Sequence, residues 1–125
     1  MAVPLRGSRR ESTVAQFLVV LGHLTTPKDM DALVELQKWY HSHCDGDWEH
    51  GYGVQIDTLD NPGWRVTVEL TDTELADRPF TEVQRLEHET DWIHCRVRDG
   101  KFEGHGGPFK LEEILQIFLA WVTAR

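Results

Sequence analysis

Apolar side chains fall on every second residue from Val54 to Leu70 and again from Trp92 to Val97, whereas on either side of that region they fall three and four residues apart. A chain whose period changes from helical to strand and back can bury its apolar groups in few ways other than helices laid on one antiparallel sheet. Val54, Ile56 and Thr58 point one way and Gln55 and Asp57 the other; after Asp60-Asn61-Pro62-Gly63 the alternation resumes, with Trp64, Val66, Val68 and Leu70 against Arg65, Thr67 and Glu69. Pro presets its own φ and Gly accepts a positive one, so Pro62-Gly63 is expected at the centre of a tight hairpin turn. A third strand is expected around Phe80 to Glu87 and a fourth at Trp92 to Arg98, with Ile93, Cys95 and Val97 on one face. Asp99-Gly100 is a strong hairpin signal that returns the chain into a short strand at Lys101 to Glu103, and Gly104-His105-Gly106-Gly107-Pro108 is expected to break the sheet.

Before these strands, Thr26-Pro27-Lys28-Asp29 reads as a helix start, because Thr can cap, Pro suits the first turn and Asp meets the positive end of the dipole. A helix to about His41 follows, its stripe formed by Met30, Leu33, Leu36 and Tyr40 with Val34 and Trp39 on the flanks. A second helix spans Leu111 to about Val122, with Leu111, Ile114, Leu115, Phe118, Trp121 and Val122 at amphipathic spacing. The expected fold is therefore α+β, a two-layer sandwich in which an antiparallel sheet of four or five strands carries the N- and C-terminal helices on one face. The other face, with Gln55, Asp57, Arg65, Thr67, Glu69, Trp92, His94 and Arg96, is left to solvent or to a partner. Trp39 and Trp121 are expected in the core, and Cys95 as a small core residue.

With 125 residues and 40% hydrophobic content there is material for one domain with a real core. The expected domain is 30–125, with residues 1–29 as a loosely attached extension. The formal charge of −8 is uneven, +2 over residues 1–30 and hence −10 over the rest. An acidic body repels phosphate backbones and attracts basic proteins, which disfavours nucleic acid as a partner. Two cysteines, Cys44 and Cys95, fit reduced thiols in a cytoplasm better than a disulfide framework. Ser8-Arg9-Arg10 ahead of Val14 to Leu24 faintly resembles a twin-arginine export signal, but Glu11 interrupts the basic region and no small-x-small cleavage site follows. That apolar stretch is too short to span a membrane.

The chemistry-bearing residues crowd into Cys44-Asp45-Gly46-Asp47-Trp48-Glu49-His50. Metal ligation fits the spacing poorly. His41 and His43 project to nearly opposite sides of a helix, and in a calcium-loop register His50 falls where Gly is required and Ile56 where the bidentate Glu belongs. Cys44 beside His43 and His50 suggests a thiolate enzyme of sulfurtransferase type, yet the neighbouring carboxylates raise a thiol's pKa and repel anionic donors. Gly104 to Gly107 lacks the Lys-Ser/Thr of a phosphate loop. The bland alternative for the acids is a solvated loop whose carboxylates cap backbone groups. For Trp48 two readings stand side by side, an exposed interface anchor and a lid folded back on the core.

Across Leu36 to Val122 the chain resembles the immunity 53 family of bacterial polymorphic toxin systems. The resemblance is carried by Leu36-Gln37-Lys38-Trp39-Tyr40, Cys44-Asp45-Gly46-Asp47-Trp48-Glu49-His50, Tyr52-Gly53, Thr58-Leu59-Asp60-Asn61-Pro62-Gly63-Trp64, Asp91-Trp92, Phe102-Glu103-Gly104, Gly106-Gly107-Pro108 and Leu111-Glu112-Glu113-Ile114-Leu115. Lys110 departs from the small polar residue expected ahead of the last helix. The resemblance implies a cytoplasmic antitoxin that binds a cognate toxin domain and blocks it, with no catalysis and no cofactor of its own. Charge and loop placement then nominate Asp45, Asp47, Trp48, Glu49, Asp60, Asn61 and Trp64 as the toxin-facing patch, with Glu103 and His105 contributing from the neighbouring hairpin.

Overall fold

The computed structural model describes residues 31–124. The elements are α1 (Ala32–His43), the short α2 (Trp48–Gly51), β1 (Val54–Leu59), β2 (Gly63–Glu69), β3 (Val83–His88), β4 (Asp91–Arg98), β5 (Lys101–Gly106) and α3 (Leu111–Thr123). The strands form one antiparallel sheet in the order β1-β2-β5-β4-β3, with α1 and α3 flanking it in an α+β fold, as the change of period implies. The helix start expected at Thr26 to Asp29 lies outside the described residues, as does the basic and apolar stretch before it. Within them, Asp31 is the N-cap of α1, its carboxylate accepting from the Val34 N–H at 3.2 Å.

The core lies between the sheet and the helices. Val66, Val68, Phe102, Ile93 and Cys95 meet Ile114, Leu115 and Phe118 of α3, all of them buried. Phe118 links the layers, its ring centroid 5.1 Å from both Trp39 and Phe102. Trp39 and Trp121 are buried as expected. The buried line of α1 is not the expected one, however. It runs through Ala32, Leu36 and Trp39, leaving Leu33, Val34 and Tyr40 exposed. Trp39 brings the largest apolar area on that helix, and packing its ring against Phe118 sets the rotation.

The glycine run after Phe102 also behaves differently from expectation: β5 continues through Gly104, His105 and Gly106. Gly104 and Gly106 face α3, where a Cβ at Gly104 would run into Ile114 and one at Gly106 would lie 2.8 Å from Lys110 Cβ. Glycine here serves close helix-to-sheet approach, not chain breaking. Gly63 is similar. It opens β2 with a negative φ, a Cβ on it would strike the Gly106 carbonyl, and the turn before it contains a cis Asn61–Pro62 bond. The expected positive-φ turn glycine is found instead at Gly100, beside Asp99, with φ of 74° and 56°.

Two tethers hold the long β2–β3 connection. Arg78 donates through Nη1 to the Trp121, Val122 and Ala124 carbonyls at 2.9, 3.1 and 3.2 Å, capping the end of α3. Trp121 Nε1 returns the contact by donating to the Pro79 carbonyl at 2.8 Å. At the other end of α3, Lys110 provides no side-chain cap and instead pairs with Asp91 at 2.7 Å.

Candidate functional site

The loop from Cys44 to Gly53 is a closed hydrogen-bonding unit. Asp45 Oδ1 accepts from the Asp47 and Trp48 N–H groups at 2.9 and 3.0 Å, and the Glu49 carboxylate accepts from the Asp45 and Gly46 N–H groups, both at 2.9 Å. Gly46 permits the turn with φ of 98°. These backbone donors hold the Asp45 carboxyl below its ordinary range, the Trp48 N–H contributing most. Glu49 is also lowered, first by its own N–H and then by those of Asp45 and Gly46. Both acids are therefore occupied in building the loop. Asp47 is exposed, and no described cation pairs with it.

Trp48 is 4% exposed. It is the lid, and the expectation of an exposed anchor is corrected: its indole N–H donates to the Thr71 carbonyl at 2.8 Å, and its ring packs near Trp39, Tyr40, His43 and Tyr52. Burial of this large ring outweighs its position in an acidic loop, because its N–H finds a partner inside. His43 lies between Trp39 and Trp48 and pairs with Glu74 at 2.8 Å, while Trp39 Nε1 donates to the same carboxylate at 3.1 Å. The 71–74 turn is thus fastened beside the loop. That turn brings Asp72, exposed at φ of 62°, to a cleft of about 350 Å³ shared with Ser42, His43, Asp45, Asp47 and Tyr52. Asp72 carried no signal in the sequence, since it precedes no motif and reaches the loop only through the β2 exit.

The other nominated residues do not join this cluster. β1 begins at the loop and runs about 20 Å before reaching Asp60 and Asn61, so that turn sits at the opposite end of the sheet. There Trp64 is half-buried and its indole N–H donates to the Pro108 carbonyl at 3.0 Å, and Phe109, next in sequence after Pro108, is 86% exposed. Glu103 and His105 lie on the open sheet face, not at a hairpin end. Glu103 accepts from Arg96 Nε at 3.0 Å, and His105 stands between Arg65 and His94 in register. Burial pushes the His105 pKa down.

The open face compensates its own charge. Besides Glu103 with Arg96, Asp57 meets Arg65 at 3.5 Å and Glu69 meets Lys101 at 3.4 Å, while Glu82 and His94 share a hydrogen bond at 2.5 Å. Asp47 and Asp72 have no such partner among the described residues. Among the described residues, unpaired carboxylates therefore stand at the loop end of the sheet, as Asp60, Glu87 and Glu89 do at its other end, whereas those of the open face are met by cations.

Cys44 is half-buried, and its thiol donates to the Tyr40 carbonyl at 3.4 Å. No imidazole among the described residues hydrogen-bonds to it. Cys95 is fully buried, and desolvation pushes its thiol up to about 12. Among the described residues no three His, Cys, Asp or Glu side chains converge as a cation-binding group.

A family model described as Immunity protein 53 matches residues 33–123. Neither the curated proteins nor the solved structures contain a match.

Proposed function

The chain belongs to the immunity protein 53 family, and on that footing we propose that it neutralises a cognate toxin of a bacterial polymorphic toxin system by binding it, with no reaction of its own. The proposed docking end is that of the 44–53 loop, where Asp47 and Asp72 present uncompensated carboxylates beside Tyr52. Its partner is a basic toxin domain in the cytoplasm of the producing cell. The observation that supports this end is the contrast in charge pairing. Carboxylates on the open face are already met by Arg and Lys, so a partner gains little there, whereas those of the loop end are available to steer and hold a basic surface.

Co-expression with the toxin encoded beside this gene tests the reading, scored by growth rescue and by co-elution on a sizing column. Wild-type rescue with a stable complex is expected. Asp47→Lys combined with Asp72→Asn, which removes the charge but keeps a residue suited to the positive φ there, is expected to weaken the complex by about tenfold or more with the melting temperature nearly unchanged. Full protection by that double variant would move the docking surface elsewhere, and no rescue by the wild type would remove the toxin reading.

A further inference from the structure

The sheet has two edges of different character. At β3 the pairing with β4 shifts register between Leu86 and His88, and Arg85 is drawn into an ion pair with Glu113 of α3. A bulge of this sort keeps foreign strands away from an edge. β1 has neither a bulge nor a Pro or Lys, and its six residues stay in unbroken register with β2. The Glu69 N–H donates to the Gly53 carbonyl at 3.0 Å, which identifies Gly53, Gln55 and Asp57 as the positions bonded to β2. Antiparallel geometry then turns the N–H and C=O groups of Val54, Ile56 and Thr58 outward, where no described residue pairs with them.

An apolar groove of about 360 Å³ lies beside this edge, between α1 and the start of β1. Leu33, Leu36, Tyr40, Tyr52 and Val54 line it. Leu33 and Tyr40 are 54% and 38% exposed because Trp39 sets the rotation of α1, and Ile56, also 38% exposed, continues the apolar strip along the strand.

Resting on the toxin-binding reading above, we propose that an extended segment of the toxin adds to the β1 edge as a sixth strand, with alternate apolar side chains in the groove and Lys or Arg at its ends. Main-chain bonds would supply affinity and the groove would supply register. Charge selects this occupant over a second copy of the chain. Two β1 strands paired antiparallel through Ile56 would bring Asp60 of one copy beside Tyr52 of the other, toward Asp45 and Asp47, acid against acid. The net charge of −8 opposes such pairing further. A basic-flanked strand meets the same acids favourably.

Amide hydrogen exchange on the full chain, free and in complex with the toxin, reads the edge directly. The Ile56 and Thr58 amides are expected to exchange quickly in the free chain and at least about a hundredfold more slowly in the complex. Ile56→Pro removes one outward donor and leaves the β1–β2 ladder intact, since Pro is tolerated on the outward side of an edge strand. It is expected to weaken toxin binding by about tenfold or more with the circular dichroism preserved. Equal exchange at Ile56 in free and bound chain, or wild-type affinity in a folded Ile56→Pro variant, overturns the edge proposal while leaving toxin neutralisation standing. A free dimer whose Ile56 amide is already slow overturns it in favour of self-pairing. A wild-type chain that neither rescues nor binds overturns the toxin reading, and the edge proposal with it.

Discussion

Trp48 separates stability from recognition at a single position. Its ring fills the space between α1 and the 71–74 turn, so Trp48→Ala is expected to cost about 3–5 kcal/mol by cavity formation, measured by chemical denaturation. Trp48→Phe keeps most of the ring and strands the Thr71 carbonyl, for about 1 kcal/mol. Binding per folded molecule should survive the Phe change. His105 gives a pH signature. Its native pKa is depressed by burial, so the unfolded chain binds the extra proton first, and stability is lost as pH falls below the unfolded value of about 6.5 and on through the native one. His105→Gln is expected to flatten that part of the stability-versus-pH curve relative to wild type, as followed by melting temperature between about pH 7.5 and 5. Cys95, with its thiol raised to about 12 and no exposed surface, should take up iodoacetamide only on unfolding, leaving Cys44 as the site of any native labelling. Periodicity made Cys95 and Trp39 legible as core residues in advance. It could not choose between lid and anchor for Trp48, because that choice depends on the Thr71 carbonyl, 23 residues away in sequence.

At the scale of elements, α3 and β5 approach so closely that only glycine fits at Gly104. Gly104→Ala would push its methyl into Ile114, with Phe102 and Cys95 close behind, and is expected to cost about 1–3 kcal/mol in denaturant unfolding. Helix propensity has no bearing there, so the loss isolates packing. The later turns of α1, α3, the pairing of β1 with β2 and the Asp99-Gly100 turn follow from period and turn chemistry, whereas the turn at Pro62 takes another form, with Gly63 already in β2. The far half of β5 does not follow from them, because Gly104 and Gly106 carry a loop composition for a reason that lies in α3. The buried line of α1 keeps Leu36 but takes Ala32 and Trp39 in place of Leu33 and Tyr40 for a similar reason. Leu33 and Tyr40 have the right spacing, but the interior is decided by which face brings Trp39 to Phe118.

Over the whole molecule, the loop end and the Asp60–Trp64 end are joined by sequence pattern and separated by the length of β1. Adjacent motifs suggested one patch, and strand direction divides it. What remained hidden was which charges are spent: ion pairing on the open face depends on cross-strand register, visible only once β2, β5 and β4 are aligned. If the uncompensated acids steer the partner, the association rate should fall steeply between about 0.02 and 0.5 M salt, and the dissociation rate should change far less, as stopped-flow mixing would report. The unequal edges have a consequence for stoichiometry. If β1 takes up the partner's strand as proposed, the described sheet, bulged at its β3 edge, has a valence of one: it accepts a single strand and gives no second edge from which an array could grow. Neutralisation by such a molecule would consume antidote and toxin one for one, so protection would fail at a sharp equivalence point in relative dose.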